Sequence, residues 1–375
     1  MTTSEINGSG KPAAERDGPR PFFSVVVACC DVEKYVRECF ASLTGQAFAN
    51  WECIAYVETS KDATERVVRE IAAADPRVRV LTGPRSGSCS VSRNVGIDEA
   101  RGEYIVFVDG DDRVAPDMLA RLAAKLSAAG GPDMLSFAAR QTDADGAVAP
   151  DAKRISNFRA CDEEGTFSGP DAIRRMVRNR GPIHAYTWLN VWRTAFLREN
   201  DLRFLPGMAL QDVDQTSRAF FLARRCAYLD RELYFYRRRR DSTTDTRTTR
   251  FIRNFFPVLR HFLEFVAARD VPDDILRQWS NQWLSLMYWI VFHPVTSGRM
   301  TDAERAAGFK VLAENGGLPR FRAFARHASP PKRVALPFVM LAARGRPRAA
   351  RLFFKHVYYP VLALRDNWLE RRGRS

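Results

Sequence analysis

The chain lacks any apolar run of the roughly 18 residues that a membrane-spanning helix needs. The best candidate, Trp283 to Val295, is too short and contains His293. The first 20 residues are polar and Gly/Ala-rich, without the apolar core of a signal peptide, and predict a disordered leader. The seven cysteines are odd in number, show no metal-ligand spacing and lie mostly inside expected strands and helices. They predict structural thiols in a reducing cytosol. No internal repeat is present. What the chain does have is an ordinary globular composition, 46% hydrophobic and 27% charged over 375 residues, enough for two domains or three. The net charge of +14 is uneven: from Pro319 onward fourteen Lys and Arg face only Asp366 and Glu370. Such a basic surplus predicts an anionic partner, a membrane surface or a polyanionic substrate.

Strands and helices alternate along the first 140 residues. Phe22 to Cys29, Trp51 to Val57, Val78 to Leu81, Tyr104 to Val108 and Met134 to Phe137 read as strands. The intervening segments carry apolar residues at helical spacing, for example Val36, Cys39, Phe40 and Leu43. Asp31 is placed to cap the first helix. Strands separated by helices imply right-handed crossovers and a mainly parallel sheet. Gln141 to Cys161 reads as a polar loop or hairpin, Asp171 to Arg178 and Tyr186 to Asn200 as helices, and Gln211 to Ala223 as a further helix. Arg231 to Tyr236 is strand-like and runs into four arginines, 237–240; beyond Thr249 the pattern is helical.

The densest chemistry sits in Gly102-Glu-Tyr-Ile-Val-Phe-Val-Asp-Gly-Asp-Asp112. Here a buried-type strand ends in three carboxylates. Open α/β sheets place ligands at the carboxyl ends of their strands. Two carboxylates one residue apart can share a divalent cation and the phosphates it holds. The alternative is an acidic turn before the helix that starts near Pro116.

Several motifs follow in order: Phe23-Ser-Val-Val-Val27, Asp31-Val-Glu-Lys-Tyr-Val36, Trp51 to Thr64, Ser88 to Asp112 with Ser92-Arg-Asn-Val-Gly-Ile97, Thr187 to Asn200, and Leu210 to Tyr236. Over Phe22 to about Thr244 the chain resembles the inverting nucleotide-sugar glycosyltransferases of family 2, including bacterial enzymes that decorate cell-surface polymers. The resemblance implies an α/β GT-A, Rossmann-like, mainly parallel sheet with helices on both faces. It implies a domain at 21–245, with a nucleotide-binding half at 21–140 and an acceptor half at 141–245, ahead of a helical, basic region at 246–375. It also implies roles: Asp212 as general base, Glu58, Arg93, Asp109, Asp31 and Arg240 toward the nucleotide-sugar, and Asp111 with Asp109 toward Mn²⁺ or Mg²⁺. The implied donor is UDP-linked and the acceptor a hydroxyl on a lipid-linked or anionic polymer, with no nucleic acid. The implied location is the cytoplasm or the inner membrane face.

The family pattern is not kept throughout. Ala28-Cys-Cys-Asp31 replaces Pro-x-Tyr-Asn, so Cys30 stands where an aromatic lines the base pocket. Val57 and Thr59 flank Glu58, Ser86 replaces an asparagine, Asn190 a lysine, and Gln211 the glutamate before Asp212. These changes imply a remodelled base or acceptor pocket, or a binding-only relative. Duller readings also stand beside each residue: Arg93 in an exposed ion pair with Asp98, Asp212 as a helix cap, Asp214 as solvated, Glu58 as a loop carboxylate, the arginines as a solvated strand end. His184 is an acceptor-side candidate without a catalytic role. A nucleic-acid-binding protein would fit pI ≈ 9.8, but the basic residues lie far from the α/β half and no reader motif is present. A nucleotidyltransferase would want a Gly-rich loop where Cys29-Cys-Asp-Val32 stands. Phe354, Val357, Val361, Leu364 and Trp368, flanked by Arg351, Lys355, Arg365, Arg371 and Arg372, read either as core or as an interfacial membrane helix.

Overall fold

The computed structural model describes residues 19–178, 184–239 and 249–287, with scattered positions between 289 and 328. Residues 1–18 of the expected leader, Arg240 and the aromatic-basic segment 351–372 lie outside the described residues. The chain divides into two compact units, Met1–Ser242 and Thr243–Ser375.

In the first unit, β1 (Phe23–Cys29), β2 (Trp51–Glu58), β3 (Val78–Gly83) and β4 (Tyr104–Asp109) are joined by α1 (Glu33–Thr44), α2 (Thr64–Ala74) and α3 (Ser90–Glu99). They pair in parallel, with Phe23 beside both Trp51 and Tyr104. Alternate residues of β1 serve the two faces. Phe23, Val25 and Val27 pack in the cluster that holds Val36 and Phe40 of α1, whereas Val26 meets α3 at Gly96. A strand buried on both sides must be apolar throughout, as β2 is.

Asp31 does not cap α1. Its φ of +52° turns the chain out of β1, a conformation Asp tolerates better than most residues. The caps come from across the loop instead. Asp62 accepts from the Glu33 amide at 3.0 Å, and Glu33 accepts from the Ala63 amide at 2.9 Å. The adjacent N-termini of α1 and α2 therefore satisfy each other's free N–H groups.

The sheet continues through β5 (Arg113–Val114), β6 (Met134–Thr142), β7 (Arg154–Ile155), β8 (Asn190–Arg193) and β9 (Cys226–Arg237), with α4 (Met118–Ala128), α5 (Gly169–Arg178), α6 (Thr194–Glu199) and α7 (Gln211–Leu222). Strand order is β3-β2-β1-β4-β8-β6-β9-β5, with β7 against β6. The β6–β9 pair is parallel; β8 runs antiparallel to both β4 and β6, and β5 runs antiparallel to β9. Tyr186 to Asn200 is therefore not all helical: a short 3-10 turn, Thr187–Leu189, leads into β8, and only Thr194–Glu199 is helix. Val191 and Trp192 are fully buried and fill the gap between β4 and β6, so pairing overrides local propensity. The polar stretch 141–161 likewise contains the end of β6 and all of β7.

In the second unit, α8 (Thr249–Ala267) and α9 (Asp273–Met287) are helices. Phe262 packs against Trp279 at 5.0 Å and Trp283 at 5.3 Å between ring centroids. Phe324 joins the group at 6.1 Å from Phe262.

Gly96→Ala should destabilise the first unit even though alanine is the better helix former. The added Cβ would stand 2.3 Å from a Val26 methyl, and overpacking of this kind costs about 1–3 kcal/mol. A lower urea midpoint with unchanged slope checks this.

Candidate active site

The carboxyl ends of β1, β2 and β4 converge at one edge of the sheet, where Ala28 lies beside Asp109. Three carboxylates in four residues repel one another, and each is met by a group from another element. Asp109 accepts from the Arg93 guanidinium of α3 at 2.9 Å. Asp111 pairs with Arg239 at 2.7 Å. Asp112, only 2% exposed, accepts from the Tyr234 hydroxyl and the Arg237 amide, both at 2.7 Å. Asp112 is thereby a structural tie between β4 and β9, while Asp109 and Asp111 remain partly exposed.

Arg93 does not form the surface pair with Asp98; that carboxylate meets Arg203 at 2.6 Å. Arg93 is buried. Burial pulls its pKa down, but Cys89, Asp109 and Asp212 more than offset this and keep it charged. Glu58 is buried and accepts from the Ser86 amide at 2.9 Å and from the Ser86 hydroxyl. It thus anchors the loop ahead of α3. Across the same loop Asp31 pairs with Arg85 at 2.6 Å and accepts from the Lys61 amide at 2.7 Å. The Arg85 hydrogen bond holds the Asp31 carboxyl below its ordinary value. Cys30 is half-buried beside Arg85, Asp31 and Glu58, and burial pushes its thiol up.

Asp212 lies a hundred positions downstream of Asp111 but reaches the same end of the sheet. Asn94 on α3 straps the segment before α7 with two bonds to Phe204, at 2.8 and 2.9 Å. Ser90 accepts from the Gly207 amide at 2.9 Å, and Ser88 donates to the Met208 carbonyl at 2.7 Å. Leu210 then takes φ +66°, and Asp212 falls in the first turn of α7, not at its cap. Burial raises the Asp212 pKa, and Arg93 opposes that rise. Gln211 lies against Cys89, with its amide nitrogen 3.6 Å from the sulfur. Asp214 is not solvated: it is fully buried and pairs with Arg218, one turn along α7.

Asp31, Glu58, Arg93, Asp109, Asp111 and Asp212 thus gather at one sheet edge. Arg240 lies outside the described residues. Two features were not singled out from the sequence. One is the Arg239–Asp111 pair, since four consecutive arginines give no periodicity to choose among. The other is a stack of aromatic rings, Tyr186, Trp188, Tyr234 and Tyr236. Its only trace in the sequence is aromatics spaced two apart in two distant segments.

Asp109 and Asp111 fit a divalent cation. They are two partly exposed carboxylates one residue apart, and burial pushes the Asp111 carboxyl up, with Arg239 opposing. Among the described residues no group of three or more His, Cys, Asp or Glu is placed to hold a metal ion. A cation here would draw its remaining ligands from substrate phosphates and water, the usual arrangement for Mg²⁺.

The Asp212 shift has a consequence for stability. A carboxyl whose folded pKa lies above the ordinary 3.8 keeps its proton in the fold after the unfolded chain has lost it. Stability therefore falls as pH rises through that window. Asp212→Asn should raise the melting temperature at about pH 7, and the gain should fade as pH drops toward 3.8; melting curves across that range check it.

Residues 24–185 match the family model described as glycosyl transferase family 2. The chain is 30% identical over 215 residues to an uncharacterized glycosyltransferase, YibD, of Escherichia coli (strain K12), covering 57% of this chain and 60% of that protein. It is 28% identical over 242 residues to the glycosyltransferase GlyG of Streptococcus pneumoniae, covering 60% of this chain and 73% of that protein. The chain spans about three-fifths of the length of curated relatives such as YibD at 60% and EpsJ of Bacillus subtilis at 63%. In fold it is similar to crystal structures of S. aureus TarS, residues 1–349. The one in complex with UDP-GlcNAc has a TM-score of 0.66 at 20% identity, covering 89% of this chain and 91% of that one. The acidic edge of the sheet, with α3 and its arginine, thus lies within residues 24–185, the part of the chain that matches the glycosyl transferase family 2 model, and the fold around it is GT-A-like.

Proposed function

We propose that the chain is a metal-dependent, inverting glycosyltransferase that moves a sugar from a nucleotide-sugar to an acceptor hydroxyl in cell-surface polysaccharide or wall-polymer synthesis. The observation that carries this reading is the buried Arg93, bonded to Asp109 and acting on the charge of Asp212. It makes one electrostatic unit of a strand-end acidic pair and a carboxylate a hundred positions away. The similar fold with UDP-GlcNAc bound makes a UDP-linked donor the first to test.

Asp212 takes the proton of the acceptor hydroxyl as its oxygen bonds to the anomeric carbon. The bond from that carbon to the diphosphate oxygen breaks on the opposite side, and the electron pair leaves with the nucleoside diphosphate. Attack from the far side inverts the sugar. A positioned base contributes about 10²–10⁴-fold, and burial of Asp212 moves its basicity in the direction a proton acceptor requires. Holding donor and acceptor in line supplies much of the remaining acceleration. A cation bound at Asp109 and Asp111 would neutralise charge on the leaving diphosphate. Glu58 and Asp31 act by fixing the loops around the donor: Glu58 through Ser86, Asp31 through Arg85 and Lys61.

A binding-only relative would lack a base that the acceptor can reach. The basic segment after residue 330 is proposed to meet an anionic membrane surface, each Lys or Arg there contributing about 1 kcal/mol. Truncation at 330 should weaken flotation with anionic liposomes.

UDP, CDP, GDP or dTDP should raise the melting temperature only together with Mn²⁺ or Mg²⁺, by mass action on the folded state. Asp111→Ala should abolish the gain. Asp212→Ala should keep it while lowering sugar transfer by about 10²–10⁴-fold; transfer at the wild-type rate would show that the base lies elsewhere. Arg239→Gln removes the internal cation paired with Asp111. It should tighten Mn²⁺ binding without nucleotide, read by the loss of the free-ion electron paramagnetic resonance signal.

A further inference from the structure

We propose that Arg239 is an exchangeable counter-ion. Asp111 gives it up when a divalent cation binds, and its guanidinium then takes an oxygen of the nucleoside diphosphate, which couples the two ligands. The proposal rests on the glycosyl-transfer reading above and deepens it by naming the residue that makes metal and nucleotide bind together.

Two arginines of one segment meet the acidic loop in different ways. Arg237, the last residue of β9, is 3% exposed, and all of its nitrogens are used. Its amide donates to Asp112 at 2.7 Å, and its Nε to the Asp111 carbonyl at 2.8 Å. Its Nη1 donates to the Ala144 carbonyl at 2.9 Å and its Nη2 to Glu38. A side chain bonded on every side belongs to the frame and fixes the backbone at Asp111.

Arg239, two residues on, is held differently. Its Nε lies 2.7 Å from the Asp111 carboxylate, yet the Nε–H has no aligned acceptor. The charge of Arg239 acts on the Asp111 carboxyl more than its hydrogen bond does. The pair is also open to solvent, with 22% of the Arg239 side chain and 18% of Asp111 exposed. Tyr35 of α1 lies under both guanidinium groups, 5.0 Å from Arg237 and 5.6 Å from Arg239. Attraction to a ring face sets no direction for the N–H groups. Arg239 is thus retained by charge and ring contact, and side-chain rotation suffices to turn it from Asp111.

Charge then decides what can bind. A cation arriving alone must displace Arg239 and leave it beside another positive centre. A diphosphate arriving alone meets Asp109 and Asp111. Either repulsion weakens binding by about fivefold at 4 Å, even with the screening of bulk water. When both arrive, every charge has a partner: Asp111 holds the cation, and Arg239 turns its planar fork to a phosphate oxygen. No carboxylate or guanidinium is left uncompensated by the exchange.

Titration of Mn²⁺ into the full chain tests this, with the free ion read by electron paramagnetic resonance. It is run with and without whichever of UDP, CDP, GDP and dTDP gives the largest thermal shift, the metal–nucleotide complex in solution being subtracted. The ratio of the two affinities measures the coupling. Arg239→Gln should tighten Mn²⁺ alone about fivefold without tightening it in the presence of nucleotide, so the ratio falls by at least that factor. Arg239→Lys, which keeps the charge, should retain most of the coupling. Unchanged melting temperatures without ligand show both variants folded. Equal tightening with and without nucleotide would mean that Arg239 only blocks the metal, and no change in either would mean that the pair is structural. Each of these outcomes, or coupling lost alike in the Gln and Lys variants, overturns the proposal. A wild-type chain that shows no thermal shift with any of the four nucleotides and metal overturns the glycosyl-transfer reading itself.

Discussion

Three like charges at the end of one buried strand set the terms for the rest of the first unit. Asp109, Asp111 and Asp112 would repel one another and lose hydration as the sheet closes over them, and an isolated buried carboxylate is far too costly to persist. Each is matched from a different part of the chain: Arg93 of α3, Arg239 just after β9, and Tyr234 with the Arg237 amide on β9. The compensation is unequal. Asp112 is tied by two hydrogen bonds to β9, which join β4 to β9 and oppose, without cancelling, the upward push of burial, Asp111 and Asp109 on its carboxyl. Asp109 and Asp111 are held mainly by arginines and stay within reach of a ligand that could take their place.

That inequality relates stability to chemistry. Ion pairs such as Arg37–Glu70 and Arg69–Glu65 are exposed on both sides and contribute about 0–1 kcal/mol each. The buried site groups act the other way. Asp111 and Asp212 are raised chiefly by burial, a standing cost that the surrounding core offsets. The straps from α3 to 204–208 keep Asp212 near Arg93 despite that cost, because two Asn94 hydrogen bonds and two serine contacts fix the segment before α7 begins.

The aromatic stack carries the same logic further. Tyr234 joins acid and aromatic chemistry in one side chain, its hydroxyl on Asp112 and its ring on Trp188. The floor of the acidic site and the stacked aromatic rings are therefore one packed body, in which a change at Tyr234 would disturb both.

The sequence alone determined the alternation of apolar strands and helices up to residue 140, because burial on both faces leaves a plain apolar signature. It also marked the carboxylates after β4 and singled out Asp212 by motif order. It did not determine β8, whose four residues are a strand only because β4 and β6 leave an open ladder between them. Nor did it choose the partners of the charges: Arg93 for Asp109 and not Asp98, Arg239 for Asp111, and Asp62 in place of Asp31 as the cap of α1. Those choices join residues tens to more than a hundred positions apart, or select one among equivalent arginines. Such pairing depends on where strands end and loops return, which only the tertiary structure decides.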